Sequence, residues 1–321
     1  MAVSDGAHLL VPFAHCRAEV ARAALRGLAL PHFQKLLRRL VDEGTDEGDP
    51  LSLSMPHERA LARAQGLPAT DGLIPLAAVQ ARQSGGDAAS GGWAWITPAH
   101  WRVGQDHIAM QHPQELQLDE DASRTLLAAM QPWFAEDGIT LTYDAPLRWL
   151  ARGEMFRTLP SASLDRVIGQ RIDDAWMPRG PAGGPLRRLQ QEMQMLLYTL
   201  PLNDQRERVG LPPVNSFWAS GTGALPEHHP VHPPAGLQLA PSLREPALQA
   251  DWGGWAAAWQ ELDARDGARL LAEADRGASV RVTLCGEASA RTWTSDGGGG
   301  WRRMAGWFGG SKTIADLVED L

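Results

Sequence analysis

The chain is poor in cysteine: Cys16 and Cys285 are the only two in 321 residues. Two thiols do not make a disulfide framework, and nothing else in the sequence points to an oxidising compartment. Long hydrophobic runs are missing too. No stretch of about 18 apolar residues occurs, so no transmembrane helix is expected. The opening MAVSDGAHLL lacks a basic region followed by a long apolar one. No signal peptide is therefore expected, and the cytoplasm follows as the default location. Positive charge is in deficit, with 30 Lys and Arg against 38 Asp and Glu and a formal net charge of −8. Non-specific nucleic-acid binding rests on phosphate neutralisation by basic side chains, so that role is not expected. Tyrosine and phenylalanine are scarce, at 2 and 6, which leaves 13 tryptophans to supply the aromatic surface of a core or a ligand cleft. No internal repeat is present.

What is there reads as a globular chain: 44% hydrophobic and 21% charged. The length suits one large domain or two ordinary ones. The apolar run at 7–13 reads as a buried strand. Helices are expected at 17–30, broken by Pro31, then at 32–41 and at 56–65, where Pro56 lies near the first turn. The acid-rich stretch 42–49 reads as a solvated loop. Strands are expected at 93–97, 101–103 and 107–110, the last two joined by a turn at 104–106. A helix at 119–134 should turn Leu126, Leu127, Met130 and Trp133 inward, before a strand at 139–143. The stripe Leu186, Leu189, Met193, Leu196, Leu197 and Leu200 predicts a helix over 185–200, stopped by Pro201. A Pro- and His-rich stretch follows at 224–246. Then come a helix at 251–275, a hairpin at 280–285 and 290–294, and a short helix within 312–321. The fold class expected is α/β, with a mixed sheet flanked by helices. The domain reading is a main domain at 1–223, a connection at 224–250 and a C-terminal helix-hairpin segment at 251–321 packed on the main domain. Trp252, Trp255 and Trp259 share one helical face, which is either core or a partner surface.

Four clusters carry polar chemistry. Glu227, His228, His229 and His232 could hold a transition metal, but their spacing matches no zinc frame. Pro226, Pro230, Pro233 and Pro234 make a solvated Pro/His loop the better reading, so no metal ligand or cofactor is assigned. Ser220, Gly221, Thr222 and Gly223, after Asn215, Ser216 and Trp218, form a Gly-rich turn that could cradle an anion with backbone N–H groups. It is neither a Walker A loop nor a dinucleotide fingerprint, and a tight turn is the plainer account. Arg171, Asp173, Glu192, Asn203 and Arg206 could converge on a polar ligand, or cap a helix and tie down a loop. His100, His107 and His112, near Asp106, include possible acid–base groups, but no nucleophile motif accompanies them. The candidate ligand-binding set is Arg171, Asn203, Arg206, Asn215, Ser216, Trp218, Ser220, Gly221, Thr222 and Gly223.

Six stretches together resemble one family: HLLVPFA near the start, LPHFQKLL at 30–37, TPAHWRVGQDHIAM at 97–110, PLRWL at 146–150, the block 186–223 and VTLCGE at 282–287. They resemble the RpfE-type regulatory proteins of proteobacteria, chains sometimes labelled cofactor-independent phosphoglycerate mutases. The resemblance covers most of the chain, and 186–223 is its most specific part. It implies a trimmed alkaline-phosphatase-like core and a regulatory role of unassigned biochemistry. Mutases of that superfamily need a Ser or Thr phosphoryl acceptor and clusters of Asp and His around two divalent metals. Here the first strand ends in Val11, Pro12, Phe13, Ala14 and His15 with no carboxylate, and the late stretch from Val282 to Glu287 ends in Gly-Glu without a histidine. Both departures remove metal ligands. The leading expectation is therefore a regulatory or interaction protein without catalytic metals, bound to a protein partner or a small polar ligand. The rival is a mutase-like or phosphatase-like enzyme. Its anion site would lie at Asn215, Ser216, Ser220, Thr222 and Gly223, with Arg171 and Arg206 as clamps. A third reading makes the same block a module for a small polar ligand.

Overall fold

The computed structural model describes residues 6–85, 91–104, 107–172, 175–178, 180–226, 234–295, 313–319 and 321. Its strands, in chain order, are β1 (Ala7–Val11), β2 (Val41–Asp46), β3 (Trp93–Ala99), β4 (Trp101–Val103), β5 (Ile108–Met110), β6 (Thr140–Ala145), β7 (Arg148–Arg152), β8 (Arg171–Ile172), β9 (Ser216–Gly223), β10 (Leu237–Leu239), β11 (Val280–Cys285) and β12 (Ala290–Thr294). The chain divides into two compact units. One is Met1–Pro50, Met55–Gln65 and Pro233–Leu321, and the other is Leu51–Ser54 and Gly66–His232. The return from the second unit to the first thus falls within the Pro/His-rich stretch. The class is mixed α/β. Among the described residues no helix is long and apolar enough to cross a membrane.

The first unit is built on a sheet of order β10-β1-β11-β12-β2. β1 runs parallel to β10 and β11, while β12 is antiparallel to both β11 and β2, so the sheet is mixed. Side chains alternate across it. Leu9, Val11, Val280, Val282 and Leu284 face one core, and Leu10 and Cys285 face the other side beside Ala60 and Leu61. A central strand buried on both faces reads as a continuous apolar run, which is why 7–13 stands out in the sequence. The helix Trp252–Leu262 lays Trp255 and Trp259 into the larger core, fully buried and edge-to-face at 6.3 Å. The Trp255 indole N–H donates to Phe13 O at 2.9 Å. This tryptophan face is therefore core. The expected single helix at 251–275 is interrupted by a π-helical turn, Asp263–Gly267, before Ala268–Asp275.

The acid-rich stretch is not a loop, since Val41–Asp46 pairs with β12 as an edge strand. Acids have low strand propensity, but here they are paired with cations: Asp42 with Arg291, Glu43 with Arg281, and Asp46 with Arg59 and Arg63. Charge on an edge also discourages pairing with other chains.

His8 lies on β1, its Nε2 2.9 Å from Thr283 Oγ1. Burial, and secondarily the charge of Arg281, holds its imidazole at about 4, down from 6.5. As pH falls below 6.5 the unfolded chain takes up this proton and the folded chain does not, so stability declines until about pH 4. A shift of that size is worth ~3 kcal/mol unscreened, and partial exposure reduces the expected loss to about 2 kcal/mol. Denaturation midpoints from pH 7.5 to pH 4.5 should fall less steeply in His8→Gln, and equal slopes would refute the assignment.

The second unit carries an antiparallel sheet of order β6-β7-β3-β9 and a small one of order β4-β5-β8. Ala94, Ile96, Trp149, Ala151, Phe217 and Ala219 share one face of the larger sheet. They pack against Leu126, Met130 and Phe134 of the helix Glu120–Glu136, and against Leu186, Leu189, Met193 and Leu197 of the helix Gly180–Tyr198. Asp119 caps the former, accepting from Ala122 N at 2.8 Å. Trp133, expected inward, is exposed, and Phe134 takes that place. The stripe spaced by four from Leu126 decides the helix phase, because it alone points at the sheet.

Candidate functional site

The segment 215–223 is a strand leading out of a proline turn. Ser216 and Thr222 are 0% exposed, and Ser220 is buried. Thr222 Oγ1 lies 2.9 Å from Gly72 O, 2.7 Å from Leu159 O and 3.0 Å from Ser161 Oγ. Ser216 Oγ has no hydrogen-bond partner. The Trp218 indole N–H donates to Ala162 O at 2.9 Å. Gly221 has φ +61 and faces the Trp95 ring, where an added Cβ would stand 2.7 Å from Cε3. Gly223 lies against Pro75 in the same way. The glycines serve close approach of backbone to side chain, and an anion cradle is not needed to explain them.

The two arginines do not meet this strand's hydroxyls. Arg171 is exposed on β8. Arg206 is buried in the helix Pro201–Arg208, donating to Leu116 O and, at 3.1 Å, to Pro212 O. Desolvation lowers its pKa from the ordinary guanidinium value. Asn203 is likewise committed. Its Nδ2 donates to Leu197 O at 2.8 Å and Val214 O at 2.7 Å, and its Oδ1 accepts from Val214 N at 2.9 Å. Glu192 pairs with Arg188 one turn away. Asn215 acts as a strand substitute for Trp101, accepting from its N at 2.7 Å and donating to its O at 2.9 Å.

The histidines are dispersed. His100 Nδ1 donates to Pro213 O at 2.7 Å, and His112 Nδ1 accepts from Gln114 N at 3.2 Å to cap a short turn. His107 is exposed. Glu227, His228, His229 and His232, with Asp106 and Asp173, lie outside the described residues. Both cysteines are buried, and desolvation raises their thiol pKa values, so neither is an activated nucleophile.

Among the described residues, the donor atoms past the ends of β1 and β11 make no two-metal site of the mutase kind. Past the end of β1, His15 Nδ1 donates to Leu321 O at 2.9 Å, and past β11 the Glu287 carboxylate accepts from Arg17 N at 3.3 Å. Among the described residues no group of three or more His, Cys, Asp or Glu could hold a metal ion.

One open pocket of the second unit has a volume of about 630 Å³, within the usual range for ligand sites. It is lined by β4, Ile108, the end of the helix Gly180–Tyr198, the helix Pro201–Arg208, and Pro213 and Asn215. Of the candidate ligand-binding set, only Asn203 and Asn215 line it. Lining residues the sequence did not single out as site candidates include Trp101, Val103, Tyr198, Asp204 and Glu207. The spacing of Asp204 and Glu207, three apart on one helix, was the one local signal available.

No protein-family model matches the sequence, and no curated protein matches it. Similar solved structures include the cofactor-independent phosphoglycerate mutase from Thermoplasma acidophilum, at 11% identity and a TM-score of 0.39, covering 98% of this chain and 99% of that one. Another is the PH0037 protein from Pyrococcus horikoshii, at 11% identity and a TM-score of 0.48, covering 94% and 90%.

Proposed function

We propose that this chain is a regulatory or interaction protein of the RpfE type, which acts by binding a partner and not by phosphoryl transfer. One observation carries the reading: the Ser/Thr/Gly strand that would form an anion site is buried in the second unit. Phosphoryl transfer needs a reachable nucleophile and cationic or N–H donors aimed at the moving charge. Ser216 and Thr222 are inaccessible, and Arg206 is spent on carbonyl acceptors. Among the described residues, the donor atoms beyond β1 and β11 also form no pair of metal sites. The pocket beside β4 gives the protein a surface for binding instead.

Elemental analysis of the purified protein should find no stoichiometric divalent metal. Phosphatase and mutase assays with added manganese should show no turnover. Stoichiometric metal with turnover that Thr222→Val abolishes would return the enzyme reading to first place.

A further inference from the structure

We propose that the pocket beside β4 docks a segment of a partner chain carrying arginine or lysine between apolar side chains. This deepens the interaction reading above and rests on it. The charge of the lining has one sign. Among the described residues that line it, Asp204 and Glu207 are the only acidic side chains, and none is Lys or Arg. The final turn of the helix Gly180–Tyr198 borders the pocket without a basic residue. An anionic ligand would meet two carboxylates and no countercharge, whereas a guanidinium or ammonium group is complementary.

The apolar surface around the mouth separates a segment from a free cation. Val103 and Tyr198 line the pocket at 77% and 84% exposure. Met195 lies on the same helix as Tyr198, and Val209 directly follows the helix bearing Asp204; both are exposed. These four are half of the eight large hydrophobic side chains exposed among the described residues, and such clustering marks interaction surfaces. A small amine would leave them in water. Trp101 also lines the pocket. Trp and Tyr rings attract the segment's cation. Recognition runs through side chains and not by strand addition at Trp101, because Asn215 already occupies both main-chain groups there.

The test is fluorescence anisotropy on the full chain with a labelled peptide, Leu-Arg-Leu-Leu-Arg-Leu, its Glu-for-Arg counterpart, and spermine as competitor. The basic peptide should bind saturably and the acidic one should not. The double variant Asp204→Lys, Glu207→Lys and the single variant Tyr198→Ser should each weaken binding about tenfold or more, with melting temperature unchanged. Equal binding of both peptides, or unchanged affinity in both variants, overturns the proposal. Spermine that displaces the peptide as readily as it binds alone assigns the pocket to a free polyamine and also overturns it. The same preparation is assayed for turnover. No peptide binding and no turnover overturns the pocket alone, and turnover overturns the interaction reading beneath it.

Discussion

Replacing Asn203 with alanine should lower the stability of the second unit by about 3 kcal/mol. The side chain is buried and makes three hydrogen bonds, all to main-chain groups. Leu197 O is one of the last carbonyls of the helix Gly180–Tyr198, and it also accepts from Leu200 N at 3.2 Å. Val214 offers both its N–H and its carbonyl just before β9 begins. Alanine strands one acceptor and one donor, Val214 O and Val214 N, and each costs ~1–3 kcal/mol when left unmade, while Leu197 O keeps its bond from Leu200 N. Some relaxation and water entry will recover part of the sum, which sets the expected loss in the middle of the range. Asn203→Asp should also destabilise, since it keeps the acceptor for Val214 N and loses both donors. Urea denaturation reads the effect as a lower midpoint with unchanged slope. A loss below ~0.5 kcal/mol, as for an ordinary surface change, would mean that Asn203 is not structural. It would then return to the ligand-binding set.

Asn203 also illustrates what the sequence could and could not convey. The helix before it was legible, because Leu186, Leu189, Met193 and Leu197 repeat with the helical period and all are buried. β1, β3, β11 and β12 were legible as apolar runs with turn residues between them. β2 was not, since its acids are paired with cations on β11 and β12, far away in sequence, and on the nearby helix Pro56–Ala64. The composition of 220–223 suggested an anion loop, yet its glycines answer to Trp95 and Pro75, about 125 and 150 positions earlier. The Trp252, Trp255, Trp259 face was fixed by spacing, but only the partners Phe13 and Phe33 make it core. The pocket is assembled from pieces about a hundred residues apart, so no local motif announces it. Periodicity reports which face of an element is apolar; it does not report what lies opposite.

Asp263→Ala should cost the first unit about 4 kcal/mol, a larger loss than the one expected at Asn203. Asp263 is 3% exposed and lies in the π-helical turn between two helices. Its Oδ1 accepts from Phe33 N at 2.7 Å, and its Oδ2 lies 2.9 Å from His32 Nδ1 and 3.3 Å from His32 N. It therefore caps the helix Pro31–Leu37 from a distant part of the chain. The residue at that helix's own cap position, Leu30, offers no side-chain acceptor. A carboxylate at a helix N-terminus also meets the positive end of the dipole. The π turn carries an extra residue per turn, a feature often tied to functional or strained positions. Here its use is to aim this carboxylate at Phe33 N. Alanine would leave the His32 and Phe33 amides without acceptors and remove a charge-assisted bond, each loss costing ~1–3 kcal/mol. A side-chain amide in place of the carboxylate would keep one acceptor, so Asp263→Asn should fall about midway. Hydrogen exchange reads the effect locally: the Phe33 amide should lose most of its protection in Asp263→Ala and part of it in Asp263→Asn. Wild-type protection at Phe33 in both variants would show that the cap is dispensable, and that the π turn owes its place to packing alone.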